Sequence, residues 1–282
     1  MADDESSGNT VQLDKYEEHE VKRRVSLRAE VVFETVRRTG ENELSRPALS
    51  LAFSGFAAGL SMGFSLLGTG VLESALPDSP WRMLVANLGY TFGFVIVILG
   101  AQQLFTENTL TAILPVLDDK DKVKKLGEML RLWGIVLLCN LIGAGLFAWL
   151  AAHTSTFSPG VNAAFMHIGQ EALKPSFVET IFRAVLAGWL IALCVWLLPS
   201  ADAQRFWIIV FITWLVGAAN LSHIIAGAVE TLYVVARGAY PFGTWCLHFL
   251  LPVFVGNCIG GVGFVAILNY AQVAAPDDKQ QA

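Results

Sequence analysis

From Val216 to Glu230 the chain reads Val-Gly-Ala-Ala-Asn-Leu-Ser-His-Ile-Ile-Ala-Gly-Ala-Val-Glu, which sets Asn220, Ser222 and His223 in the middle of an apolar run from Phe206 to Val235. A run of that length crosses a bilayer as a helix. Polar and ionisable side chains at membrane depth are costly and by default mark a substrate or ion pathway, so His223 is the first functional candidate. A satisfied interhelical hydrogen bond is the plainer account of the same histidine. Either way, backbone groups freed at such an interruption must be met by protein or by a water-filled path, which narrows the fold to a helical membrane bundle with a polar interior.

A second segment has the same look. Residues 81–105 are apolar, then Leu-Phe-Thr-Glu-Asn-Thr-Leu at 104–110 intervenes, and the chain turns apolar again through Ile113, Leu114, Val116 and Leu117. Transporters built from inverted repeats carry broken helices at corresponding places in their two halves. A repeat is visible: Cys-Asn-Leu-Ile-Gly-Ala-Gly-Leu-Phe at 139–147 parallels Gly-Asn-Cys-Ile-Gly-Gly-Val-Gly-Phe at 256–264. Asn140 to Asn257 is a shift of 117, and so is Thr106 to His223 (257 − 140 = 223 − 106 = 117). The first and fourth segments do not keep that shift. Chance Asn-x-Ile-Gly pairs also occur in glycine-rich membrane helices.

Composition supports the class. With 54% hydrophobic and 15% charged residues and a mean hydropathy of +0.54, the 282-residue chain exceeds what a soluble core uses and reads as a polytopic membrane protein. Residues 1–47 stand apart as an acidic start followed by a charged helical pattern from Tyr16 to Arg38. There Val21, Val25, Leu27, Val31, Val32 and Val36 form a stripe among Lys22, Arg23, Arg24, Arg28, Arg37 and Arg38, suited to a membrane surface or to docking on neighbouring protein. No apolar core occurs within the first thirty residues, so no signal peptide is expected. Six spans are expected at about 49–72, 81–117, 130–152, 177–198, 206–235 and 245–273, within a membrane domain of 48–273 followed by a short tail, 274–282.

Lysine and arginine give the orientation. The first 47 residues and the connection after the second span are rich in them, the latter through Lys120, Lys122, Lys124, Lys125 and Arg131. Connections one, three and five carry only Arg82, Lys174 and Arg237, which places both termini in the cytoplasm. Gly55, Gly59 and Gly63, Gly89 with Gly93, and Gly256 with Gly260 recur at four-residue intervals that let helix backbones approach. Cys139, Cys194, Cys246 and Cys258 lie in apolar spans without paired metal spacing and read as small core residues. The chain has no His-Glu-x-x-His and no nucleophile with a partnered base, so no enzyme, cofactor, metal or nucleic-acid partner is expected.

Four features taken together, in this order and spacing, carry a resemblance: Leu-Phe-Thr at 104–106 in a broken second span, His223 in a broken fifth, Phe-Arg-Ala-Val-Leu-Ala-Gly-Trp-Leu-Ile-Ala-Leu-Cys-Val-Trp at 182–196, and Gly-Asn-Cys-Ile-Gly-Gly at 256–261. Over about residues 49–270 the chain resembles the formate/nitrite transporter family. The resemblance implies an all-α, aquaporin-like membrane protomer with six transmembrane helices as two inverted three-helix repeats. Its second and fifth helices are broken and meet at a central pore, and it assembles as a homopentamer in the inner membrane. It implies passage of small monovalent anions such as formate or nitrite, often with proton coupling. By position it puts Thr106 and His223 at the pore centre, Tyr90 and Phe94 on an apolar constriction, Asn257 on the asparagine of the last span, and Lys174 about two positions from a basic vestibule residue. The chain departs from the family pattern at Ala187-Gly188, where Cys-Asn is common. It departs also at Ser222, where Glu or Asn precedes the histidine, and at Val216, where an aromatic constriction is usual. These departures leave the particular anion open.

Chemistry fits that expectation. Moving an isolated charge into an apolar constriction costs on the order of tens of kcal/mol in the idealised case and several after relaxation. A weak acid attracted by Lys174 and by half-helix N-termini crosses more cheaply as the neutral acid. His223 would supply or orient the proton, and Thr106 would hydrogen-bond the substrate oxygen, with Asn220 and Ser222 beside them. Blander roles exist for each: a helix cap for Thr106, ordinary packing for Tyr90 and Phe94, a plain loop lysine for Lys174. Asn140 and Asn257 are expected to tie broken backbone ends together. Glu230, two turns past His223, is expected to face the same pore or a subunit interface. His153, His167 and His248, near span ends, are expected to do no chemistry. The alternative function is a non-conducting membrane scaffold or sensor that keeps the channel fold, which the basic N-terminal segment and the missing span-four asparagine would suit.

Overall fold

The computed structural model describes residues 13–17, 27–201 and 203–274. Val21, Lys22, Arg23, Arg24 and Val25 of the charged helical pattern lie outside these residues, as does nearly all of the expected tail. The described part is helical: α1 Ala29–Ser45, α2 Ala48–Ala75, α3 Arg82–Leu99, α4 Phe105–Thr111, α5 Ile113–Asp118, α6 Lys122–His153, α7 Pro159–Leu173, α8 Phe177–Leu197, α9 Arg205–Ala218, α10 Ile224–Ala236 and α11 Phe242–Ala274. Five of these regions, α2, α3, α6, α8 with its short extension, and α11, are long and apolar enough to cross a membrane. The shorter apolar helices α9 and α10 follow one another across the interruption at 219–223.

Local chemistry starts and stops these helices where it should. Asp121, Ser158 and Ser176 accept a backbone N–H from the first turns of α6, α7 and α8 respectively, and Pro159 occupies the first position of α7, where its missing N–H costs nothing. That last start adds to the sequence reading: in the connection expected between the spans at 130–152 and 177–198, Ser158-Pro-Gly160 opens a fifteen-residue helix that carries His167 and Glu171.

Within residues 29–45, α1 docks on neighbouring protein. Val32, Phe33, Val36, Gly40 and Leu44 fall on one face and are buried, and the Phe33 ring lies 5.9 Å from that of Tyr270 in α11. At Gly40 a Cβ would run into the Thr111 carbonyl, so α1 rests directly on the end of α4. The helix continues through Ser45, past the charged pattern that was expected to end at Arg38.

The two halves of the bundle are packed by the same device. Cβ atoms at Gly59 and Gly143 would strike the Asn140 and Phe56 carbonyls where α2 crosses α6. At Gly188 and Gly260 they would strike the Asn257 and Val185 carbonyls where α8 crosses α11. Equivalent contacts on α6 and α11 are 117 residues apart (260 − 143 = 117), as the sequence suggests, whereas those on α2 and α8 keep a different shift (188 − 59 = 185 − 56 = 129). Between its two crossings the second half is twelve residues shorter than the first (143 − 59 = 84; 260 − 188 = 72), which accounts for the difference; α7 lies before α8, between the halves. The glycine at 188 that stands in place of a family asparagine is therefore set by backbone contact. Outward-facing Phe53, Phe182 and Phe211, each more than 60% exposed, belong to an apolar outer surface suited to lipid or to neighbouring subunits.

Candidate pore site

Both interruptions have the same architecture. α3 closes with Gln102 N–H donating to Val97 O (3.0 Å) and Ala101 N–H to Ile98 O (3.2 Å); α9 closes with Leu221 N–H donating to Val216 O (2.9 Å) and Asn220 N–H to Gly217 O (2.9 Å). These are helix ends in which a left-handed residue turns the chain, and Ala101 (φ 50°) and Asn220 (φ 54°) are the non-glycine residues with positive φ among those described. The first break thus lies at 100–104, N-terminal to the 104–110 stretch expected from polarity, most of which is helix α4.

One asparagine ties each break to the bundle. Asn140 Oδ1 accepts from Phe105 N–H (2.9 Å), while its Nδ2 donates to Gln103 O (2.9 Å) and to Gly55 O on α2 (2.7 Å). Asn257 Oδ1 accepts from Ile224 N–H (2.9 Å), and its Nδ2 donates to Ser222 O (2.9 Å) and to Ala184 O on α8 (2.8 Å). Each buried amide satisfies backbone groups that an interrupted helix leaves free. These bonds also correct the expected register. The breaks superpose at a shift of 119 (224 − 105 = 222 − 103 = 220 − 101 = 119), so the backbone counterpart of His223 is Leu104 and not Thr106. The second half is two residues shorter between break and asparagine (140 − 105 = 35; 257 − 224 = 33), which is why the asparagines alone align at 117.

His223 is the N-cap of α10. Its Nδ1 accepts from Ile225 N–H (3.3 Å) and Ala226 N–H (3.2 Å), so the ring proton sits on Nε2, and Nε2–H donates to Thr106 Oγ1 at 2.7 Å. The cap role weighed for Thr106 is not filled: α4 has Leu104 at its N-cap with no side-chain cap bond, and the histidine cap belongs to α10. Thr106, the second residue of α4, keeps its own hydroxyl proton to donate. Both side chains are buried, and the Phe94 ring meets the imidazole edge-on at 4.9 Å with Tyr90 5.4 Å beyond it.

Two cavities lie at opposite ends of α3. One, about 410 Å³, is lined by Thr69, Asn87, Tyr90, His167, Glu171 and Glu230 among others. A narrow space of about 20 Å³, whose walls include Tyr90, Ser222, Glu230 and Arg183, leads from it to His223. The other, about 270 Å³, lies under α1 and is lined by Thr35, Thr39, Glu43, Gln102, Glu107 and Arg205 among others. Tyr90, Phe94, His223 and Thr106 stand between them.

The structure thus brings together Tyr90, Phe94, Thr106 and His223, with Asn257, Asn220 and Ser222 shaping the second break. Val216 is buried in the last turn of α9. Lys174 is apart from these. It is 67% exposed and hydrogen-bonded to Glu171, which itself lines the larger cavity. Sequence reading gave no site role to Glu73 or His167. Glu73 is buried in α2 and His167 Nδ1 lies 2.7 Å from its carboxyl. A lone glutamate near the end of a glycine-rich span was the available signal, but its partner sat on a helix read as a loop.

Comparison with known proteins bears on this arrangement. Residues 29–271 match the model of the formate/nitrite transporter family. The chain is 42% identical over 250 residues to the inner membrane protein YfdC of Escherichia coli (strain K12), covering 89% of this chain and 80% of that protein. It is 27% identical over 254 residues to the formate channel BtFdhC of Bacillus thuringiensis, covering 86% and 94%. Among solved structures, a pentameric formate channel with formate bound aligns with a TM-score of 0.68 at 20% identity, covering 81% of this chain and 98% of that one. An FNT family ion channel aligns with a TM-score of 0.71 at 21% identity, covering 88% and 98%. At these identities the two structures speak for the fold.

Proposed function

The chain belongs to the formate/nitrite transporter family, and from that premise we propose that it is a channel or transporter for small monovalent anions, formate, nitrite or a similar weak-acid anion, which passes the centre as the neutral acid. The observation that carries this is the buried His223–Thr106 pair, set between two cavities where two helices are broken. Around it, six spans form two inverted three-helix repeats: α2, α3 with α4, and α6 in the first; α8, α9 with α10, and α11 in the second. The matching caps and asparagine ties support that pairing. The site comprises His223, Thr106, Asn257, Tyr90, Phe94, Val216, Asn220 and Ser222, with Lys174 at the vestibule rim. Residues 48–273 are the channel domain, and 1–47 and 274–282 are cytoplasmic. Contact between α1 and the end of α11 supports placing both on one face. The protein is a homopentamer in the inner membrane, a reading supported by its likeness to a pentameric formate channel and to the inner membrane protein YfdC.

An ion meets the desolvation penalty at the apolar rings of Tyr90 and Phe94; a neutral acid does not. The two cap bonds on Nδ1 support His223 as the group that orients the proton, by donating from Nε2 to Thr106 so that the threonine hydroxyl in turn donates to the substrate oxygen. Proteoliposome uptake of formate, nitrite and then acetate, compared with His223→Ala across a pH series, tests the reading. Wild type is expected to take up at least one of these anions. The variant is expected to lose roughly tenfold or more, since about 1.4 kcal/mol, near the worth of one hydrogen bond, is a factor of ten. A wild-type pentamer that moves no small anion would leave the scaffold as the function. That alternative has lost one support, because Gly188 is explained by helix contact.

A further inference from the structure

Beyond His223 and Thr106, the larger cavity holds a second group of ionisable side chains. Glu230 sits two turns along α10 from His223, is 9% exposed, and has no hydrogen-bond partner among the described residues. It lines both the large cavity and the narrow space that reaches His223. Thr69 lines the same cavity at 1% exposure, and its Oγ1 is also without a partner. A carboxyl and a hydroxyl, both buried and both open toward one cavity, mark a place where an entering molecule exchanges hydrogen bonds.

The other charges around Glu230 are already engaged. From α2, Glu73 is bonded to His167 Nδ1 of α7 (2.7 Å) and has Arg82 of α3 within 3.9 Å. From α7, Glu171 is paired with Lys174 and lies 3.6 Å from His167 Nε2. From α8, Arg183 is bonded to Asn220 O (3.2 Å) and Glu179 (2.6 Å). α3 contributes the Tyr90 hydroxyl, α10 itself contributes His223, and α6 and α11 add no charged side chain to the walls of either space. Glu230 is therefore the carboxyl that an entering anion meets unshielded. Two anionic oxygens there repel each other, whereas a proton shared between them turns the encounter into a hydrogen bond.

Resting on the proposed anion passage, we propose that the large cavity is a proton-loading site in which Glu230 protonates the incoming anion before it reaches Tyr90. The protonated Glu230 carboxyl transfers its proton to the anion's oxygen, giving the Glu230 carboxylate and the neutral acid. The carboxylate then takes a proton from hydronium at the cavity mouth, releasing water, so one proton enters with each anion. Thr69 Oγ1 hydrogen-bonds the acid as it forms. The site thus selects conjugate bases of weak acids and rejects anions of strong acids, such as chloride and nitrate, which cannot hold the proton.

The test uses full-length protein in proteoliposomes, with labelled formate as the probe, a trapped pH-sensitive dye, and empty liposomes subtracted. Wild type is expected to take up formate faster as the pH on the cavity side falls, with one proton per formate. Glu230→Gln is expected to reduce both fluxes tenfold or more near neutral pH while the assembly stays intact, and Glu230→Asp to restore part of them. A Gln variant with unchanged rate and proton ratio overturns the inference and leaves anion transport standing; a wild type that moves no formate overturns both. If the Gln variant does not assemble, nitrate decides: wild-type nitrate uptake at the formate rate overturns the proposal, and its exclusion supports it.

Discussion

At the scale of single residues, the polar positions inside apolar runs were the legible ones. His223, Thr106, Asn140 and Asn257 announce themselves because membrane depth makes every unpaired polar group costly. Ala101 does not. Nothing in an alanine signals a left-handed turn, yet it holds φ 50° at the place where Asn220 holds φ 54° in the other half. Asparagine tolerates that conformation through its short polar side chain, while alanine is strained in it. Ala101→Gly is therefore expected to stabilise the protein by about 1 kcal/mol, and Asn220→Gly by much less, as read by thermal unfolding in detergent. At Gly188 the reverse holds. Restoring the family's asparagine there drives a side chain into the Asn257 backbone, and Gly188→Asn is expected to cost about 1–3 kcal/mol or to prevent folding, seen as a lowered melting temperature or loss of the assembled form.

At the scale of elements, spans were readable from hydropathy, and their ends less so. Polarity placed the first break at 104–110 because α4 is short and rich in hydroxyl and amide side chains; the actual turn uses Gly100 and Ala101. Each break depends on its asparagine. Asn140→Ala and Asn257→Ala leave the N–H of Phe105 or Ile224 buried and unpaired, with an expected loss of about 1–3 kcal/mol each in chemical or thermal unfolding. α1 offers a pH prediction. Hydrogen bonds from Arg37 and then Arg38 hold the Glu34 carboxyl at about 2, below its usual 4.5. A lowered value means that the contribution is fully present above the usual carboxylate range and fades only as pH falls toward 2. Between pH 5 and 8 this cluster does not titrate, so Glu34→Gln is expected to leave the shape of the pH–uptake curve unchanged; a shifted curve would assign the pH response to α1.

At the scale of the whole molecule, the helical membrane class, the two matching helix breaks and the His223–Thr106 pair between them were within reach of the sequence, because a bilayer allows few solutions to backbone hydrogen bonding. Three different shifts, 129, 119 and 117, hid the full correspondence, since connections differ in length while crossing points do not. The exposed phenylalanines and tryptophans of the outer surface are expected to be shared between lipid and neighbouring copies, and native mass spectrometry of the purified protein is expected to give five times the 30.6 kDa chain mass. The histidine cap carries a consequence for anyone who would re-engineer the conduit. Because His223 holds the first turn of α10 through one nitrogen and Thr106 through the other, it is a keystone as well as a contact, and exchanging it also frees two backbone N–H groups at the start of α10 in the passage proposed around it. Tyr90 is different. Its carbonyl accepts from Ser65 through the main chain, a bond that survives a new side chain, so widening the proposed route for bulkier acids begins there.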